Sequence, residues 1–132
     1  HSVFATVTEK SNAPKRDYFG YRWEKPVKTN MVAFHYGCLE EYGGWYSNMH
    51  VEYMDAKGNW KPIEATVTPA LPASDEVFIQ PHFAEFVFEF EPVETTAIRV
   101  IGDNCRFIHY NKYTKNVAAF VSVSEVQVYE AI

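Results

Sequence analysis

Two stretches of this chain concentrate side chains that could meet a ligand. Residues 103–119 carry Arg106, His109, Tyr110, Asn111 and Tyr113, and residues 37–48 carry Tyr42, Trp45 and Tyr46 with Glu40, Glu41 and Asn48. Flat rings can stack on the C–H side of a saturated ring. Arg and Asn present paired N–H donors to hydroxyls or carboxylates, and His and Tyr add both polarity and ring surface. Together these are the requirements of a shallow sugar site, which needs no activated acid or nucleophile. The longer stretch is the better candidate, because long excursions between strands are usually functional or disordered. It also sets Arg106, Lys112 and Lys115 against Asp103 alone, a locally positive region in an acidic chain. Its bland alternative is a surface flap packed by Phe107 and Tyr110. For Trp45 the alternative is packing against the body of the fold.

Catalytic patterns are hard to find. Glu40 and Glu41 are adjacent, whereas glycosidase carboxylates bracket a bond from separate elements roughly 5 to 9.5 Å apart. No Ser or Cys sits in a nucleophile elbow, and no His-x-x-x-His spacing suggests zinc. Arg106, His109 and Tyr113 are the residue types a β-eliminating lyase would use, and that is the nearest approach to an enzyme. The expectation is a protein without catalytic activity.

What must position these groups is a set of strands. Period-two alternation recurs along the chain while helical periodicity is scarce. In residues 85–90 the alternation puts Phe86, Phe88 and Phe90 on one face and Glu85 and Glu89 on the other. Residues 27–36 form a longer run with both faces partly apolar. Met49, Val51 and Tyr53 share a side, and residues 55–59 with Gly58 predict a hairpin loop into a strand at 60–64. Residues 97–101 are a further strand closed by Gly102, and residues 3–8 a first one. Prolines at 26, 62, 69, 72, 81 and 92 are expected at edges and connections, since proline cannot donate to a ladder. Trp23 and Trp60 are expected in core or edge packing and His35 in a strand, partly buried and partnered. His82 has no evident partner.

The last strand, 122–129, changes phase. Val121 and Val123 share one parity and Val126 and Val128 the other, which calls for a bulge near Ser124 and Glu125 or for burial on both faces. In a regular register Glu125 would follow Val123 onto the apolar side. A buried carboxylate needs hydrogen bonds, a cation or a proton. Glu125 is therefore a structural hydrogen-bond anchor, a metal ligand or an exposed residue.

Bulk properties bound the answer. A chain of 132 residues is one domain, 1–132, able to bury a core without staples. Aromatic residues make up 17% of it, with ten Phe and nine Tyr, and such residues favour an all-β antiparallel sandwich. A formal net charge of −5 argues against nucleic acid or an anionic membrane as the partner. No run approaches the ~18 apolar residues of a membrane span. No leader is visible, and the start at His1 reads as an excised or processed piece. Cys38 and Cys105 each follow a strand end, so a loop-to-loop disulfide and two free thiols are both open.

The ordered motifs resemble a known family. Tyr18-Phe-Gly20-Tyr-Arg-Trp23-Glu-Lys-Pro26-Val27 is similar to the tryptophan-to-proline entry of the second strand in discoidin, or coagulation-factor type C, domains. Gly43-Gly44-Trp45-Tyr46 with Val51-Glu52-Tyr53, then Gly58-Asn-Trp60-Lys-Pro62, is similar to that family's next strand pair. Residues 86–90, 98–102 and 124–129 complete the order, so the resemblance covers roughly residues 18 to 130. It implies a galactose-binding-like β-sandwich with jelly-roll topology. Most relatives are carbohydrate-binding modules of secreted glycosidases and lyases; others bind phospholipid head groups or cell-surface proteins.

The resemblance further implies one structural calcium held partly by the Glu of the final strand, here Glu125. The acidic loop that completes that site is reduced in this chain to Asp17, and calcium wants roughly six to eight oxygens. The short glycine-rich turn after Gly102 is replaced by Asp103-Asn104-Cys105-Arg106, so ligand identity does not carry over.

The expected function is a non-catalytic carbohydrate-binding module, ancillary to a glycan-active enzyme or surface protein. It would be secreted, periplasmic or at the cell surface, monomeric, and joined to a neighbouring domain of a larger parent. Its rivals are a protein-docking sandwich without its own ligand and a phospholipid-binding type C domain, for which Phe107 beside Arg106 is a thin candidate.

Overall fold

The computed structural model describes residues 4–5, 16–37, 45–71, 83–105 and 122–131, and every regular element among them is a strand. In chain order these are β1 (Phe4–Ala5), β2 (Arg16–Tyr36), β3 (Trp45–Met54), β4 (Trp60–Pro62), β5 (Thr66–Thr68), β6 (Glu85–Cys105) and β7 (Ser122–Glu130). All pairings are antiparallel, in the order β1-β7-β2-β6-β3-β4, with β5 added to β6. Of the paired strands only β3 and β4 are a simple hairpin. Its loop is closed by Asp55, whose Oδ1 accepts from Lys57 N and Asn59 N, both at 2.9 Å, with Gly58 at φ +85°.

Strands β2 and β6 are 21 residues each and pair along their length. At about 3.3 Å per residue a straight strand would run roughly 70 Å, far beyond a domain whose radius of gyration is about 14 Å. Both must bend, and the register says where. Arg22 pairs with Ala97 and Val27 with Thr95, leaving Trp23 to Pro26 opposite one residue; Thr29 pairs with Val93 and Met31 with Glu89, leaving Phe90 to Pro92 opposite one residue. Pro26 and Pro92 thus lie inside strands, contrary to the expectation that prolines mark connections. They are tolerated because each sits in a register break, where no ladder N–H is required. Thr95 fills the corner: its buried hydroxyl lies 2.8 Å from the carbonyls of Met54 and Ala97 and accepts from their N–H groups at 3.2 Å.

The bends divide the strands between two layers. Layer A holds β4, β3, the second half of β6 and the first half of β2. Layer B holds β5, the first half of β6, the second half of β2, β7 and β1. One hydrophobic cluster joins their inner faces, with Tyr46, Met49, Val51, Ile98 and Val100 from A and Val32, Phe34, Tyr36, Phe86, Phe88, Val123 and Val126 from B. Phe34 meets Tyr46 across the layers at a ring-centroid distance of 5.9 Å, and Tyr21 Oη donates to Val126 O. The expected all-β antiparallel architecture is found, and the two layers are consistent with the expected sandwich.

Strand β7 contains the expected bulge. His35 pairs with Glu125 and Tyr36 with Val123, so Ser124 is the extra residue. Its hydroxyl donates to Tyr36 O at 3.1 Å. Val123 and Val126 both point inward, and Glu125 is exposed rather than on the apolar side.

Candidate functional site

The two candidate stretches can be located by their roots. Tyr42, Arg106, His109, Tyr110, Asn111 and Tyr113 lie outside the described residues, as do Glu40, Glu41, His82 and Cys38; of Trp45 and Cys105 only the backbone is described. Trp45 and Cys105 are ladder partners, so segment 38–44 ends beside the residue where segment 106–121 begins. At their other ends Gly37 follows Tyr36, and Tyr36 pairs with Val123, next to Ser122. Tyr46 N donates to Tyr36 Oη at 3.1 Å and fastens the two layers at this end. Phe83 N donates to Gly37 O at 2.9 Å, which brings Phe83 to the same place. Both candidate stretches therefore spring from one end of a rigid body, the usual place for binding loops.

Bulges flank these roots. In β3 the register shifts between Ser47 and His50, with Asn48 left-handed at φ 55°, a conformation Asn tolerates better than most residues. Asn48 Nδ2 donates to Asp103 Oδ2 at 3.0 Å, tying β3 to β6 just below both loops. Tyr46 is not available as a ligand contact: it is 3% exposed, part of the core, and packed so closely on Gly102 that a Cβ there would come within 2.7 Å of its ring. Its position inside β3, a strand that begins earlier than the alternation in the sequence suggests, explains the difference.

Glu125 accepts from Gln127 Nε2 at 2.9 Å, and Tyr129 Oη donates to Gln127 Oε1 at 2.8 Å, an exposed chain along β7. Asp17 pairs with Gly102 in layer A, and Glu125 lies opposite His35 in layer B. Among the described residues no three His, Cys, Asp or Glu side chains converge.

A second constellation, not foreseen from the sequence, covers the outer face of layer A. Arg99 Nε and Nη2 donate to Glu52 Oε1 at 2.9 and 2.7 Å; Glu52 Oε2 lies 2.9 Å from His50 Nε2, and His50 Nδ1 lies 3.0 Å from Asn48 O. The side chains of Arg99 and Glu52 are only 15% and 14% exposed. Burial pushes the Glu52 carboxyl up, but hydrogen bonds from His50 and Arg99, together with the charge of Arg99, outweigh it and hold the group below its ordinary value. The Arg99 guanidinium lies between two rings, 4.6 Å from the centroid of Tyr18 and 4.1 Å from that of Trp60. Trp60, expected to pack in the core or at an edge, packs on this face from edge strand β4. Trp23 packs against the core. His35 is part-buried in β2 as expected, but its Nε2, though 3.0 Å from Glu85 Oε2, makes no hydrogen bond and is not the satisfied group expected.

No protein-family model matches the chain, and a search of curated proteins finds no match. Among solved structures the chain is similar to one from Streptococcus pneumoniae beta-galactosidase BgaA, with a TM-score of 0.66, 15% identity and coverage of 99% of this chain and 76% of that one. A Bacteroides thetaiotaomicron chain assigned as an alpha-L-fucosidase aligns at 0.49 and 15% identity, covering 98% of this chain and 27% of that one. CpGH89CBM32-5 from Clostridium perfringens, solved with GalNAc-beta-1,3-galactose, aligns at 0.47 and 10% identity, covering 96% and 94%. The first likeness establishes a shared fold; the other two fall too low to carry an argument.

Proposed function

We propose that this chain is a non-catalytic carbohydrate-binding module whose ligand meets the loops at one end of the sandwich. One observation carries the reading: the pairings of Trp45 with Cys105 and of Tyr36 with Val123 root both aromatic- and Arg/His/Asn-bearing stretches at the same end. Arg106, His109 and Asn111 would donate to hydroxyls, with Tyr42, Trp45, Tyr110 and Tyr113 supplying ring surface. The module would keep a larger extracellular glycan-active protein near its substrate. The fold it shares with a chain of a beta-galactosidase makes galactose-containing glycans the first ligands to test.

Affinity is modest, because sugar hydroxyls exchange one set of hydrogen bonds for another and only stacking and charge-assisted bonds give net gain. A glycan array probed with and without chelator tests the reading. Arg106→Ala and His109→Ala should each abolish the array signal while the thermal transition stays in place. Undiminished binding by both variants would move the site elsewhere. A signal indifferent to chelator would remove calcium from the account.

A further inference from the structure

We propose that His50 is a pH-sensitive latch at the root of the end loops. Charged, it fastens the bulge of β3 to the outer-face ion pair; neutral, it lets that bulge go. Its effect on ligand binding rests on the reading above.

Both nitrogens of the His50 ring face oxygen. Nε2 lies 2.9 Å from Glu52 Oε2, and Nδ1 lies 3.0 Å from the carbonyl oxygen of Asn48. A carbonyl can only accept, and so can an ionised carboxylate. A neutral imidazole carries one N–H and can serve one of the two; only the imidazolium serves both. The carboxylate keeps its hydrogen in either state, because a bond to a charged acceptor is the stronger. Arg99 occupies the other oxygen of Glu52 and helps to keep it ionised. The proton that comes and goes is therefore the one on Nδ1. When it leaves, a ring lone pair faces the Asn48 carbonyl in place of a bond.

The surrounding strands leave that choice to the two oxygens. Across the ladder on β6, His50 meets Ile101, which is apolar and buried. Beyond it on β2 stands Tyr18, over the Arg99 guanidinium. Past the end of β4, Glu64 is exposed and bonds neither ring nitrogen. The His50 side chain is 33% exposed, so protons exchange freely with solvent.

The release is felt at Asn48. It is left-handed, lies in the register shift between Ser47 and His50, and donates through Nδ2 to Asp103 Oδ2. Asp103 pairs with Ser47, and two residues on is Cys105, where segment 106–121 begins. A chain of bonds thus runs from Arg99 through Glu52, His50 and Asn48 to the strand end that leads into Arg106 and His109. The bond to Asn48 O is present at acid pH and is lost as pH rises through the range where histidine changes charge, about pH 5 to 8. A root already held leaves less to be ordered when a ligand binds the loops. Binding is tighter at the acid end by about threefold, the worth of one net hydrogen bond.

The test is long-range ¹H–¹⁵N spectroscopy of the histidine rings, with backbone amide spectra, from about pH 5 to 8. His50 is identified by the ring signals missing from His50→Gln, whose thermal transition should match that of the wild type. In the wild type Nδ1 should lose its proton while Nε2 keeps one, and the Asn48 and Asp103 amides should shift along the same curve. Loss of the Nε2 proton instead, or amides that ignore the ring, would overturn the proposal. Lactose affinity is then compared between wild type and His50→Gln at both ends of the range, so that His109, present in both, cancels. Their ratio should fall about threefold from acid to alkaline pH. A constant ratio would overturn the link to binding. No lactose binding at either pH, with ring and amide signals as described, would uphold the latch and count against the loop reading.

Discussion

Glu52 sits where burial and hydrogen bonding pull in opposite directions, and the bonds prevail. Its carboxyl titrates below the ordinary 4.5 because the folded state stabilises the ionised form through Arg99 and His50. The sign of the pH dependence follows from linkage. The unfolded chain binds this proton more tightly than the folded one, so the contribution of Glu52 is fully present above about pH 4.5 and is lost as pH falls through its lower folded value. Urea denaturation of wild type and Glu52→Gln should show the wild type more stable by about 1.5 to 3 kcal/mol at pH 7, the range for hydrogen bonds to a charged group. That gap should narrow towards pH 3. A gap independent of pH would mean that the carboxylate charge is not what Arg99 and His50 hold.

At the scale of elements, the bulge in β7 makes a sharper prediction. Because Ser124 is the surplus residue between two ladder partners, deleting it leaves Val123 opposite Tyr36 and Glu125 opposite His35, with both valines still inward. The loss is its hydroxyl bond to Tyr36 O and some local twist, about 1 kcal/mol. Deleting Gln127 instead shifts the pairing of everything beyond it and throws Val128 out of phase with Val126, exposing apolar surface at a cost of about 2 kcal/mol or more. Equal urea midpoints for the two deletions would contradict the register. This bulge was legible in the sequence, since Val123 and Val126 can face the same side of one strand only when a surplus residue stands between them. The full length of β2 and β6 was not. Pro26 and Pro92, with Glu24, Lys25, Glu91 and Glu94 around them, erase the alternation at the corners, and so each strand reads as separate pieces. The outer-face cluster was hidden for a related reason: Tyr18, Glu52, Trp60 and Arg99 are scattered along the chain and meet only through register. A trace was there, because Glu52 and Arg99 are opposite charges, each centred in an apolar strand, which is how a cross-strand pair looks before its partner is known.

For the whole molecule, the bent strands decide how it unfolds. In a sandwich whose sheets are linked only by loops, one sheet can loosen while the other persists. Here β2 and β6 each run through both layers and pair with each other in both, from Arg16 with Asp103 to His35 with Glu85. The single hydrophobic cluster draws on both inner faces. Opening either layer would therefore strip apolar surface from the other, and neither should survive alone. Urea unfolding followed by far-UV circular dichroism and by tryptophan fluorescence should give one coincident transition, because Trp23 against the core and Trp60 on layer A report on the same event. The same pairings join residues far apart in sequence, so loop-closure entropy must be overcome before the ladder forms, and refolding should take milliseconds to seconds rather than microseconds. A plateau between the two probes would show that the corners at Pro26 and Pro92 act as hinges between independent sheets. The loops at the far end would then rest on two bodies rather than one.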